Sequence, residues 1–161
     1  MRKSQINKFK ILIIGITMFM LGSNIVSAQV SVNLPALTRQ QGDAPEWINV
    51  TVGNLTGQNI TAFQFTLFYN KNIISIDSAI CGPVAAGGLF AFNADTANQQ
   101  VKVAFATAYA LSGSGTLLKL KVHYKNIGTS TLSLNDTFQF NAGNPPVSVE
   151  GGSIIINGQE R

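Results

Sequence analysis

The chain has 161 residues, 45% of them hydrophobic and only 11% charged, with a formal net charge of +4. Four of the eleven cations (Arg2, Lys3, Lys8 and Lys10) precede position 11, and the other seven are balanced by seven acids. Beyond its first segment the chain is neutral, which excludes the phosphate-neutralising surface of a nucleic-acid binder, and the single cysteine, Cys81, excludes an intrachain disulfide.

The early cations are followed by an apolar run, ILIIGITMFMLG over 11–22, and then by a short polar tail that ends in a small-x-small triplet at Ala28. That is the layout of a secretory signal peptide. The run is shorter than the roughly 20 apolar residues of a membrane span, and no cysteine near position 28 offers a lipid attachment point. The expectation is a leader over 1–28, cleavage between Ala28 and Gln29, and a secreted product at the cell surface or beyond, with no stable membrane anchor. The remaining stretch, 29–161, has the length of one domain with room for a real core.

From there on the sequence alternates with period two. A first short strand is expected over 30–34. Ile48, Val50 and Val52 alternate with Asn49 and Thr51 in a second, 46–54. Turn residues Gly57-Gln58-Asn59 lead to a third over 60–69, where Phe63, Phe65 and Leu67 alternate with Gln64, Thr66 and Phe68. Further strands are expected over 73–80, 89–94 and 100–109, the last with Val101, Val103 and Phe105 on one side and Lys102, Ala104 and Ala106 on the other. Leu118, Leu120 and Val122 mark a strand over 116–125, Leu132 and Leu134 one over 129–135, and the aliphatic run near Ile154 one over 152–157. Gly, Asn, Pro and Ser clusters separate these runs. Beyond a turn near 84–88, nothing holds a helical period after the leader. The pattern predicts an all-β protein: a nine-stranded, two-sheet β-sandwich with jelly-roll-like topology, each sheet oily on one face.

The order of these pieces resembles the cohesin family, the scaffold modules that bind dockerins in cellulosomes, within a wider group of sandwiches that includes carbohydrate-binding modules. The resemblance is carried by Ala62-Phe-Gln-Phe-Thr-Leu-Phe-Tyr-Asn-Lys-Asn-Ile-Ile74, by Gly42-Asp43 ahead of the second strand, and by 101–106. Also similar are Gly113-Ser-Gly-Thr-Leu-Leu-Lys-Leu-Lys-Val122, 128–134 and the closing Gly152-Ser-Ile-Ile-Ile156. Asn70-Lys71 stands where the family usually has Asp-Pro. Ala62 and Gln64 stand at outward positions where many cohesins present acidic or amide groups. The resemblance implies a non-catalytic module whose third, fifth, sixth and eighth strands share one sheet. It implies a dockerin-like protein partner on the outward residues Ala62, Gln64, Thr66 and Phe68, Lys102, Ala104 and Ala106, and Thr131, Ser133 and Asn135.

The residues themselves offer little catalytic chemistry. His123 is the only histidine and alternates with Val122 and Tyr124, so it reads as an outward strand residue beside Lys121. Cys81 reads as a small apolar side chain. Asp43, Asp77, Asp95 and Asp136 are scattered, without a calcium-loop spacing, and no cofactor is expected. The alternatives to a protein-docking module are a polysaccharide binder and a structural surface subunit. Sugar rings stack on exposed aromatics, and the only tryptophan, Trp47, points outward from the second strand, away from Phe68. Phe90, Phe92 and Tyr109 are the residues from which a small platform would be built.

Overall fold

The computed structural model describes residues 29–159; the expected leader, up to and including Ala28, lies outside the described residues. Twelve strands form: β1 Val30–Asn33, β2 Ala36–Gln40, β3 Glu46–Val52, β4 Ala62–Phe68, β5 Ile74–Cys81, β6 Leu89–Asp95, β7 Gln100–Ala106, β8 Gly115–Tyr124, β9 Gly128–Leu132, β10 Gln139–Phe140, β11 Val147–Glu150 and β12 Gly152–Asn157. A 3₁₀ turn at Pro83–Ala85 stands where the turn was expected. The strands join in three hydrogen-bonded ladders, β11-β1-β3-β8-β5, β10-β4-β7-β6 and β2-β12-β9. The first two are the two layers of the sandwich. The third continues the second layer, because Ser133, just past β9, bridges to Phe68 at the end of β4.

Two of the three extra strands, β2 and β11, come from one device. β1 runs parallel to β11, and β2 runs parallel to β12. Between them Leu34 N donates to Glu150 O at 3.0 Å and Ser153 N donates to Pro35 O at 3.1 Å. Pro35 has no N–H to continue the ladder. At Gly152 a Cβ would meet Pro35 O at 2.3 Å, so only glycine lets the two chains pass so closely. The pair therefore leaves one layer and enters the other together. Two expected strands, 30–34 and 152–157, each acquire a partner segment that the alternation did not reveal.

The core is the one the alternation predicts. Ile48, Val50, Val52, Phe63, Phe65, Leu67, Val103, Phe105, Leu118, Leu120, Val122, Leu132 and Leu134 are all buried. Stacked rings tie the second layer together: Phe63 on Phe105 at 4.8 Å and Phe65 on Phe138 at 5.4 Å. Phe138 meets Phe140 edge-on at 5.0 Å. With those side chains turned inward, the pleat turns their neighbours to solvent.

Candidate functional site

The outward face of the β10-β4-β7-β6 ladder is set by its register. Leu89, Ala106 and Ala62 lie side by side across three strands, as do Ala91, Ala104 and Gln64, and then Asn93, Lys102 and Thr66. Gln139 continues the middle row beyond Gln64, with the two amides 3.5 Å apart. The result is a shallow open depression of about 830 Å³ floored by small side chains, with Asp136 and Thr137 at its margin. One end is apolar, where Leu89 is 82% exposed. The other end carries Lys102.

The structure brings Ala62, Gln64, Thr66, Lys102, Ala104 and Ala106 together on this face. It revises the rest. The 129–135 segment meets β4 only at its end, where Ser133 bridges to Phe68. Gly128–Leu132 pairs with β12, and the neighbour of β4 is the two-residue β10. The cause is a left-handed pair, Asn135 (φ 41°) and Asp136 (φ 58°), which turns the chain out of the strand after Leu134. The Thr137 hydroxyl then accepts from Thr66 N at 2.8 Å, a side chain standing in for a ladder bond. Asn141 closes the segment, its Oδ1 accepting from Thr61 N at 3.0 Å and Ala62 N at 3.1 Å while its Nδ2 donates to Asn59 O at 2.9 Å. Asn135 therefore sits in a turn, bonded to Ser133. Thr131 and Ser133 border a second, smaller groove of about 360 Å³ together with Phe68, Thr129 and Gln99. Phe68 is half-buried along that groove, not a free-standing aromatic.

Sequence reasoning missed Leu89, Ala91, Asn93 and Gln139. The first three were legible: once Phe90 and Phe92 face inward, their alternate neighbours face out. Phe90 and Phe92 do pack against the core and so build no platform with Tyr109, which stands alone at 82% exposure.

Elsewhere several titratable groups are tied into the scaffold. Tyr124 donates its hydroxyl to Glu46, which also accepts from Arg39 Nε at 2.7 Å. Burial, reinforced by the Glu46 carboxylate, pushes the Tyr124 hydroxyl well above its usual range. Burial also raises the Cys81 thiol, which disfavours a reactive thiolate. Hydrogen bonds from Asn98 hold Asp95 below the usual carboxylate range. His123 Nε2 lies 2.6 Å from Asp77 Oδ2, a close ion-pair contact without the alignment of a hydrogen bond. Among the described residues, no three His, Cys, Asp or Glu side chains converge as metal ligands would.

Neither a protein-family model nor a curated protein matches the sequence. Solved structures do. A chain of the type I cohesin–dockerin complex Coh-OlpC–Doc435 from Clostridium thermocellum aligns at TM-score 0.70 and 16% identity, over 81% of this chain and 95% of that one. The non-cellulosomal cohesin of the archaeon Archaeoglobus fulgidus aligns at 0.69 and 20%, over 83% and 94%. A chain of a second Clostridium thermocellum complex, Coh-OlpA–Doc918, aligns at 0.71 and 14%, over 81% and 100%. The chain has the cohesin fold.

Proposed function

We propose that this protein is a non-catalytic, secreted binding module that docks a dockerin-like protein partner on the outward face of β4, β6 and β7, with Gln139 and the Phe68 groove at its borders. The observation that carries the reading is the face itself: a flat, four-stranded surface of alanines and short amides on a fold shared with chains of cohesin–dockerin complexes. Small side chains let a partner helix approach the sheet closely, and the absence of dense charge favours apolar burial over ion pairing. Polysaccharide-degrading assemblies are the setting this reading implies.

Titration calorimetry against a panel of type I dockerins tests it. Ala104 sits between Gln64 and Ala91 at the centre of the face. An aspartate there would be desolvated without a partner, so Ala104→Asp should weaken binding by about 2 kcal/mol or more. Phe68→Ala, at the border groove, should cost less. Added salt should change the wild-type affinity only slightly. Unchanged affinity in Ala104→Asp would exclude this face, and retention on neutral polysaccharide with no dockerin bound would overturn the functional class.

A further inference from the structure

The opposite layer carries a surface that the docking reading does not use. On its outward face Trp47 of β3 pairs across the ladder with Lys121 of β8 and, beyond it, Ser78 of β5; the next row is Asn49, Lys119 and Ile80. Trp47 is 40% exposed and Ile80 45%. The Lys121 ammonium lies over the indole, 5.7 Å from its centroid. Among the described residues neither Lys119 nor Lys121 has a carboxylate partner. Among the described residues the close contacts between basic and acidic side chains are Arg39 with Glu46 and His123 with Asp77.

Among the described residues, the Trp47 indole N–H, the Asn49 amide and both ammonium groups find no hydrogen-bonding partner.

We infer that Trp47, Asn49, Lys119 and Lys121 form a second binding site, for an acidic polysaccharide whose sugar rings carry carboxylates. An indole face takes a pyranose ring by apolar stacking. The ammonium groups of two lysines whose Cα atoms are roughly 7 Å apart along one strand take carboxylates, and Asn49 and the indole N–H take hydroxyls. A carboxylate that draws Lys121 off the ring uncovers the stacking surface at the same moment. Charge complementarity selects the acidic glycan over a neutral one, which would have to displace Lys121 without giving it a counter-charge. Two unpaired cations are too few for a nucleic acid or an anionic membrane, where affinity rests on many phosphate contacts. His123 and Asp77, with His123 Nε2 2.6 Å from Asp77 Oδ2, lie at the border of the patch.

Trp47 is the only tryptophan, so intrinsic indole fluorescence of the whole protein reports on this site alone. Titration with oligogalacturonate should shift or quench the emission saturably, with an affinity that falls as salt rises. Lys121→Ala and Lys119→Ala should each weaken it about tenfold, the loss of one charge-assisted contact, and Ala104→Asp on the other layer should leave it unchanged. Dockerin binding should persist in Lys121→Ala, so failure of this site and failure of the docking face are read separately. No saturable emission change would overturn the inference. So would equal binding of neutral xylan or cello-oligosaccharides, of duplex DNA, or of vesicles containing phosphatidylserine.

Discussion

Truncating Phe65 to alanine tests the register on which the docking face depends. Phe65 is 4% exposed, on the central part of β4, and stacks on Phe138. Removing its ring forfeits about 150 Å² of apolar burial, worth about 4 kcal/mol at about 25 cal/mol per Å². That agrees with the roughly 3–5 kcal/mol typical of buried Phe→Ala changes, where the cavity adds to the lost transfer energy. For a domain of this size the loss should lower the melting temperature by about 10–20 °C. Urea unfolding followed by circular dichroism measures the change, and a shift in midpoint at constant slope would place it in the folded state. A double-mutant cycle with Phe138→Ala should return a coupling of about 0.5–1.5 kcal/mol for the stacked pair. A cost below about 0.5 kcal/mol would refute the reasoning. Because strand faces alternate, it would place Phe65 outside and Gln64, Thr66, Lys102 and Ala104 on the wrong side of the sheet.

Two further outcomes are expected. Tyr124 has a folded-state pKa raised above its ordinary 10.0 by burial and by Glu46, so the stability it lends is present below that value and is lost as pH rises beyond it. Stability measured by urea unfolding across the alkaline range should therefore fall more steeply in the wild type than in Tyr124→Phe, and equal slopes would contradict the assignment. Mass spectrometry of protein recovered from the medium should find Gln29 as the first residue, and recovery of a form beginning at Met1 would refute the leader.

The alternation of side chains made the fold legible. Period two around Ile48–Val52, Phe63–Leu67 and Val101–Phe105 left only one way to bury each sheet, and every expected core residue lies inside. What escaped were segments whose strand character comes from their neighbours. Ala36–Gln40 contains no fully buried residue, so its own pattern is faint. It becomes a strand because β12 runs alongside it, and β12 is placed there by the passage of Pro35 past Gly152. Val147–Glu150 follows two prolines and reads locally as a turn, yet it pairs along the whole of β1. Parallel pairing between distant segments leaves no local trace of this kind.

The proposed docking face shows the same division. Its two central strands could be read from sequence, because each one's outward residues follow from its own inward ones. Its border could not, because it depends on where the chain goes after Leu134. Asparagine and aspartate tolerate the left-handed conformation, but the sequence Asn135-Asp136 is equally at home continuing an edge. The bonds of the Thr137 hydroxyl to Thr66 and of the Asn141 amide to Thr61 and Ala62 fix the outcome. The consequence is functional. With 137–140 beside Phe63–Thr66 and the 129–135 segment meeting β4 only at the Ser133–Phe68 bridge, the border of the face is the Gln139 amide, and the Thr131–Ser133 edge lines the separate Phe68 groove. In the docking proposed above, a partner that covers the alanine floor meets hydrogen-bonding groups at Gln64 and Gln139 and a single cation at Lys102, so the proposal predicts specificity from that sparse pattern and affinity from the area between.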